Sequence, residues 1–194
     1  RKPTVANYRD LLKAVPFARY YLNSAIVAVI STFAVLITSA LGGFLFDKYS
    51  FPGKSMLFIL VLANLMIPFE VILVPLFRIA HTLNLTGNYW GMILPFIVSP
   101  FGLYLMRQFC HEIPTELMEA AFIDGCSDLR TFFLVILPQM RPALSALAIF
   151  TFMGSWNSYI WPLVVIDSKL MRTLPVGLAA MQSDLGTRYG LVMA

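Results

Sequence analysis

Apolar positions along the chain fall in long unbroken runs separated by short polar stretches. Leu22 to Phe46 carries no charge over 25 residues, enough for a helix to cross a hydrocarbon core of about 30 Å with some tilt. The run ends at Asp47-Lys48-Tyr49-Ser50-Phe51-Pro52-Gly53-Lys54, where charges and a Pro-Gly breaker predict a loop. Met56 to Phe77 is apolar apart from Glu70, and Tyr89 to Met106 follows a polar stretch from His81 to Asn88. Pro95 and Pro100 lie inside that third run, where neighbouring helices can satisfy the carbonyls they free. Pro142 to Ile166 gives a fourth run without charge. The expected fold class is all-α, a polytopic helical membrane protein with spans near 22–46, 56–77, 89–106 and 142–166 in one transmembrane domain. A further span is expected to start near 189–194.

Composition supports this reading and narrows the partners. Of 194 residues 59% are hydrophobic and 12% charged, against about 25% charged in a soluble domain, so the expected surroundings are membrane lipid. The net charge of +4 is accompanied by no Lys/Arg cluster or stacking array, and nucleic acid is not an expected partner. Cys110 and Cys126 read as reduced structural thiols, and no metal site is predicted without His or Cys partners. His81 and His111 read as isolated loop residues. The first twenty residues hold five basic side chains and no apolar h-region, so no signal peptide is expected. Both ends read as cut from a longer chain.

The stretch from Arg107 to Arg141 differs from everything around it, with three basic and five acidic residues. It cannot lie in lipid as a whole. Thr115 can cap a helix with Glu116 and Glu119 in its first turn, near the positive end of the dipole. Leu117, Met118, Ala121 and Phe122 share a stripe, and Gly125 supplies a left-handed stop. Ser127 can cap a second helix, after which Leu137-Pro138 and Pro142 steer the chain into the fourth span. An interfacial helix would carry Lys and Arg toward anionic lipid, so the acidic residues favour a protein groove as its partner. Basic residues number five on the face with the 47–55 and 107–141 loops and eight on the other, a count that favours the latter as cytoplasmic.

Glu119-Ala120-Ala121, Asp124-Gly125 and Leu137-Pro138 together resemble the EAA signature of the membrane subunits of binding-protein-dependent ABC importers. Val135 departs from the usual Ile. Trp156-Asn157-Ser158-Tyr159-Ile160-Trp161-Pro162-Leu163, Thr173-Leu174-Pro175-Val176-Gly177-Leu178 and Leu22-Asn23-Ser24 look like patterns of the carbohydrate-uptake branch, which includes the maltose importer. The resemblance implies the type I permease fold with four full helices of an expected six, a bacterial cytoplasmic (inner) membrane location, and a cytoplasmic EAA loop, opposite to the charge count. It implies that Glu119, Ala120, Ala121, Asp124 and Gly125, with Leu137 and Pro138 behind them, couple to an ATPase. The implied partners are a homologous second permease subunit, two cytoplasmic ATPase subunits and an extracytoplasmic solute-binding protein. The sequence has no G-x-x-x-x-G-K-[ST] loop, so ATP and Mg are assigned to the separate ATPase; no cofactor is expected on this chain, which is a permease rather than an enzyme.

A translocation pathway is expected to be lined by polar groups that lipid would not tolerate. Asn64 and Glu70 in the second span, and Asn157, Tyr159 and Trp161 in the fourth, are the candidates. Rings beside amides suit a sugar, by stacking and by hydrogen bonds to hydroxyls. The same residue types also serve as interface anchors and helix-packing groups. The expected function is therefore the pathway-forming subunit of an ATP-driven sugar importer. Alternatives are a permease for glycerol phosphate or another small solute, a secondary transporter using Glu70 as a proton relay, and a non-transport scaffold.

Overall fold

The computed structural model describes residues 16–184; the expected span start near 189–194 lies outside them. The described elements are all helical. α1 (Phe17–Lys48) is a single helix, longer at both ends than the uncharged run. It is the one described helix long and apolar enough by itself to cross a membrane. α2 (Lys54–Ala63) tightens into a 3₁₀ turn at Asn64–Met66, and α3 (Phe69–Thr82) follows. α4 (Tyr89–Ile93) likewise ends in a 3₁₀ turn, Leu94–Phe96, before α5 (Pro100–Glu112). Then come α6 (Glu116–Ile123), α7 (Asp128–Gln139), α8 (Arg141–Trp156), α9 (Ile160–Val165) and α10 (Leu174–Asp184).

Three of the four expected spans are thus not single helices. The pairs α2–α3, α4–α5 and α7–α8 meet the length and composition for a span only when each is taken together, and each is bent by more than 40° at its break. The causes are local. Ile67, restricted by the following Pro68, is extended at φ −92°, ψ 115°. Ser99 is extended before Pro100, and its hydroxyl accepts from the Gly102 amide at 3.0 Å, so α5 starts with a capped first turn. α7 contains a π-helical turn, Phe132–Ile136, in which the Leu137 amide reaches back five residues to the Phe132 carbonyl. Pro138 comes next, has no amide to give, and the chain bends by 78° into α8. The pair α7–α8 is not one of the expected spans, since α7 lies in the expected 107–141 loop; the fourth expected span, 142–166, breaks instead at residues 157–159 between α8 and α9. Within the expected loop 107–141, α5 runs on to Glu112 and places Arg107 over the Phe58 ring, 4.0 Å from its centroid.

The chain packs as two compact units that alternate in sequence. In the unit formed by residues 31–72 and 95–152, Phe44, Met106, Cys110, Met118, Phe132 and Ile136 lie in one buried apolar cluster. α1 and α5 approach closely there, since a Cβ on Gly43 would lie 2.6 Å from that of Met106. The break before α5 leaves the Ile97 carbonyl without a helical donor, and the Thr38 hydroxyl of α1 supplies one at 2.6 Å.

In the other unit Asn23 is fully buried and organises the packing. Its Nδ2 donates to the Leu170 and Arg172 carbonyls, each at 2.9 Å, and its Oδ1 accepts from the Tyr89 hydroxyl at 2.7 Å. Ser24 Oγ accepts from the Leu174 amide at 2.8 Å, satisfying an orphan donor at the start of α10. Trp161 is 1% exposed and donates its indole N–H to the Gly91 carbonyl at 2.9 Å. The ordinary donor to that carbonyl would be the amide of residue 95, and residue 95 is proline.

Candidate functional site

α6 is a two-turn helix with one narrow buried ridge. Met118 (4% exposed) and Ala121 (6%) face inward, whereas Leu117 and Phe122 of the expected stripe are exposed. A helix this short touches the core through positions three apart, and the wider stripe finds nothing to cover it. Glu119, Ala120, Asp124 and Gly125 are all exposed, as is Ile123 at 86%. Among the five motif residues from Glu119 to Gly125, Ala121 alone packs against the chain's own interior. The outer face therefore carries carboxylates around an apolar knob.

The stop at Gly125 has the geometry read from the sequence. Its φ is +81°, the Cys126 amide bonds to the Ala121 carbonyl at 2.9 Å, and the Gly125 amide bonds to the Phe122 carbonyl at 3.0 Å. This is the paired bonding of a Schellman motif. The two expected caps differ. Thr115 is helical at φ −68°, ψ −25°, and neither its side chain nor that of Ser127 makes a cap hydrogen bond. The Thr115 carbonyl instead accepts from the amides of Met118 and Glu119. Leu137 and Pro138 lie at the α7 bend, both half-buried, away from the exposed face of α6.

Two consecutive residues at the end of α1 hold the two ends of this segment. Lys48 Nζ donates to the Ile113 carbonyl at 2.6 Å, just before α6, and pairs with Asp47 Oδ2 at 3.2 Å. The Lys48 and Asp47 side chains are only 6% and 8% exposed. Tyr49 Oη donates to Asp128 Oδ1 at 2.5 Å, in the first turn of α7. Burial, reinforced by the hydrogen bond and charge of Asp128, raises the Tyr49 phenol from 10 to about 12. His111 Nδ1 lies 3.0 Å from Asp47 Oδ1. His111 is thus neither isolated nor in a loop, and His81 stacks on Phe77 within α3. Cys110 and Cys126 are free thiols. Among the described residues no three His, Cys, Asp or Glu side chains gather in a way that could hold a metal ion.

The pathway candidates separate into two kinds. Asn64 and Glu70 flank the α2–α3 break, and both are exposed. Glu70 stands in the first turn of α3, where a helix N-terminus favours its charge, rather than in the middle of a continuous helix. Asn157 and Tyr159 occupy the α8–α9 break and are also exposed. Trp161 belongs to the packing of α9 on α4. Leu22-Asn23-Ser24 stood out in the sequence only by resemblance, which did not reveal the packing role of Asn23 and Ser24, and the Lys48-Tyr49 pair had no local signal, because the partners of both pairs lie far along the chain.

Residues 39–194 match the family model described as binding-protein-dependent transport system inner membrane component. The chain belongs to this family. It is 37% identical over 178 residues to the arabinooligosaccharides transport system permease protein of Bacillus subtilis, covering 92% of this chain and 63% of that protein. It is 33% identical to a putative ABC transporter permease protein of a Caldicellulosiruptor species, covering 100% of this chain and 71% of the relative. It is 35% identical to the sn-glycerol-3-phosphate transport system permease protein of Pectobacterium atrosepticum, covering 92% and 64%. The chain thus spans less than two thirds of the length of the Bacillus and Pectobacterium relatives. Its fold is similar to that of a chain in the crystal structure of a bacterial ABC transporter involved in import of the acidic polysaccharide alginate. The TM-score is 0.87 at 22% identity, over 96% of this chain and 72% of that one. The all-α architecture is accordingly the ABC permease fold, and the inner-membrane component family accounts for the apolar runs.

Proposed function

We propose that the chain is a transmembrane subunit of an ATP-driven importer that forms, with a homologous second permease, the pathway for a sugar or oligosaccharide delivered by a solute-binding protein. The observation that carries the proposal is α6, an acidic, exposed helix outside the apolar runs, ended by a Schellman stop and fixed to the core by Met118 and Ala121. Such a helix fits a basic-rimmed groove of a cytoplasmic ATPase subunit, with Glu119 toward the rim, Ala120 permitting close approach, and Asp124-Gly125 setting the turn. This puts the α6 side in the cytoplasm. ATP and Mg act on the two ATPase subunits, and their closure turns the paired permeases from inward- to outward-facing. Asn64, Glu70, Asn157 and Tyr159 line the pathway at helix breaks, where membrane transporters place polar groups and unwound backbone.

The test is uptake by the reconstituted complex. Gly125→Asp and Glu119→Lys should abolish ATP-dependent uptake and ATPase association while the chain stays in the membrane. Normal coupling in both variants would overturn the proposal. Within the same fold, the glycerol-phosphate relative motivates a second cargo class, so the uptake panel should include sn-glycerol-3-phosphate beside arabinooligosaccharides. Uptake that ignores ATP and collapses with the proton gradient would instead indicate a secondary transporter.

A further inference from the structure

We infer that Lys48 and Tyr49 are positioning residues that make α6 and α1 move as one body, so that a displacement of α6 is delivered to the longest apolar helix of the chain. The inference rests on the reading of α6 as the ATPase-contacting helix. Its basis is the placement of two adjacent side chains on the two ends of one segment: Lys48 on the Ile113 carbonyl and Tyr49 on the Asp128 carboxylate. A segment held at one end can pivot, whereas a segment held at both ends from the same point transmits translation and rotation alike.

Each pin is reinforced. The Lys48 ammonium is buried against Asp47, and Asp47 also meets His111 at the end of α5. Lys54 Nζ donates to the carbonyls of Asp47 and Tyr49 at 3.1 and 2.8 Å, which fixes the turn between the two pins and α2. The Tyr49 ring packs edge-on against Phe44 at 5.4 Å, and Phe44 lies against Phe132 of α7 at 5.1 Å. The apolar contacts hold α1 against α7, but they are non-directional and permit sliding. Lys48 and Tyr49 supply the directional bonds that forbid it. Each bond has one charged member, the Lys48 ammonium in the first and the Asp128 carboxylate in the second, which puts both in the stronger class of hydrogen bond.

The experiment uses the full complex in nanodiscs, with Cys110 and Cys126 replaced by alanine and spin labels at Leu45 on α1 and Leu117 on α6, both exposed and neither among the residues assigned to the ATPase contact. In the otherwise native chain the label-to-label distance distribution should be single, narrow and the same in nucleotide-free and ATP-trapped states. The double variant Lys48→Met with Tyr49→Phe should keep its ATPase subunits yet show a distribution at least twice as wide that shifts between the two states. Lys48→Arg should restore the narrow distribution beside native Tyr49. Tyr49→Phe and Asp128→Ala should give the same broadening singly and no more together, because they cut one bond. A double variant as narrow as the native chain, with ATPase bound, would overturn the inference. Failure of the otherwise native chain to retain any ATPase subunit would instead overturn the underlying reading of α6, and that sample reports it independently of the pins.

Discussion

Replacing Gly43 by alanine tests the closest approach in the α1–α5 pair. The added Cβ would lie 2.6 Å from Met106 Cβ and 2.7 Å from both the Met106 carbonyl carbon and the Arg107 amide nitrogen. Ordinary contact begins at 3.4 Å, so the two helices must separate by about 0.8 Å. Two of the three atoms are backbone and cannot turn aside. Overpacking of this kind costs about 1–3 kcal/mol, against a helix-propensity gain of about 1 kcal/mol for leaving glycine. The net loss is at most about 2 kcal/mol, up to roughly a 30-fold fall in the folded-to-unfolded ratio, and it lies toward that upper end because two of the clashing atoms are backbone. Two controls separate this clash from a general effect of removing glycine. Gly42→Ala meets only the Leu103 side chain, at 3.0 Å from Cδ1, which can rotate away, and should be neutral within about 0.5 kcal/mol. Gly154→Ala meets nothing within 4 Å and should be neutral or slightly stabilising. Equilibrium unfolding of the purified chain in mixed micelles reads all three. Equal stability of the Gly43 and Gly42 variants would refute the backbone contact.

Asn23→Ala removes three hydrogen bonds from a fully buried site and leaves two carbonyls and the Tyr89 hydroxyl without that partner. It should cost about 3 kcal/mol in the same unfolding measurement, and a loss below about 1 kcal/mol would contradict the network described. Trp161→Phe keeps most of the ring volume but leaves the Gly91 carbonyl unpaired beside Pro95. A loss of about 1–3 kcal/mol is expected, whereas an unchanged stability with altered cargo preference would move Trp161 back among the pathway residues. Tyr49 should titrate late, because burial and Asp128 raise its phenol to about 12. Its folded value is above its unfolded one, so the associated stability is complete below pH 10 and is lost as pH rises through 12. Tyr49→Phe should remove that dependence, and a native-minus-variant phenolate absorbance curve with its midpoint near 10 would refute the assignment.

Much of the architecture was written in the apolar runs. Twenty-five uncharged residues from Leu22 demand a long helix, and the cluster of carboxylates after Glu112 demands an exit from lipid. Gly125 predicted its own positive φ, because a helix that ends before Asp-Gly needs a residue tolerant of the left-handed region. The breaks were less legible for a physical reason: hydropathy records what surrounds a side chain and not which way the backbone turns. Pro68, Pro100 and Pro138 were visible, yet a proline in a membrane helix signals either a kink or a break, and tertiary partners decide which. The pins on the α6 segment were hidden because Lys48 looked like an ordinary loop cation. Its acceptor, the Ile113 carbonyl, is a backbone atom that carries no sequence signature.

The breaks also supply a criterion for separating structural polar groups from pathway groups. Where a break leaves a backbone group unsatisfied in the interior, the chain provides a dedicated partner: Thr38 for the Ile97 carbonyl, Trp161 for the Gly91 carbonyl, Ser99 for the Gly102 amide. These polar side chains already have an internal task. Asn64, Glu70, Asn157 and Tyr159 also stand at breaks but are exposed, and their side chains make no hydrogen bond with a described residue. In lipid such groups would be costly, so they need a wet cavity or a polar partner, which the proposed solute pathway between two permease subunits would provide. Substitution of these four by apolar residues should therefore spare folding and impair transport, the reverse of what Asn23→Ala and Trp161→Phe should do. A stability loss from Glu70→Leu as large as that from Asn23→Ala would show that the exposed groups have structural partners after all.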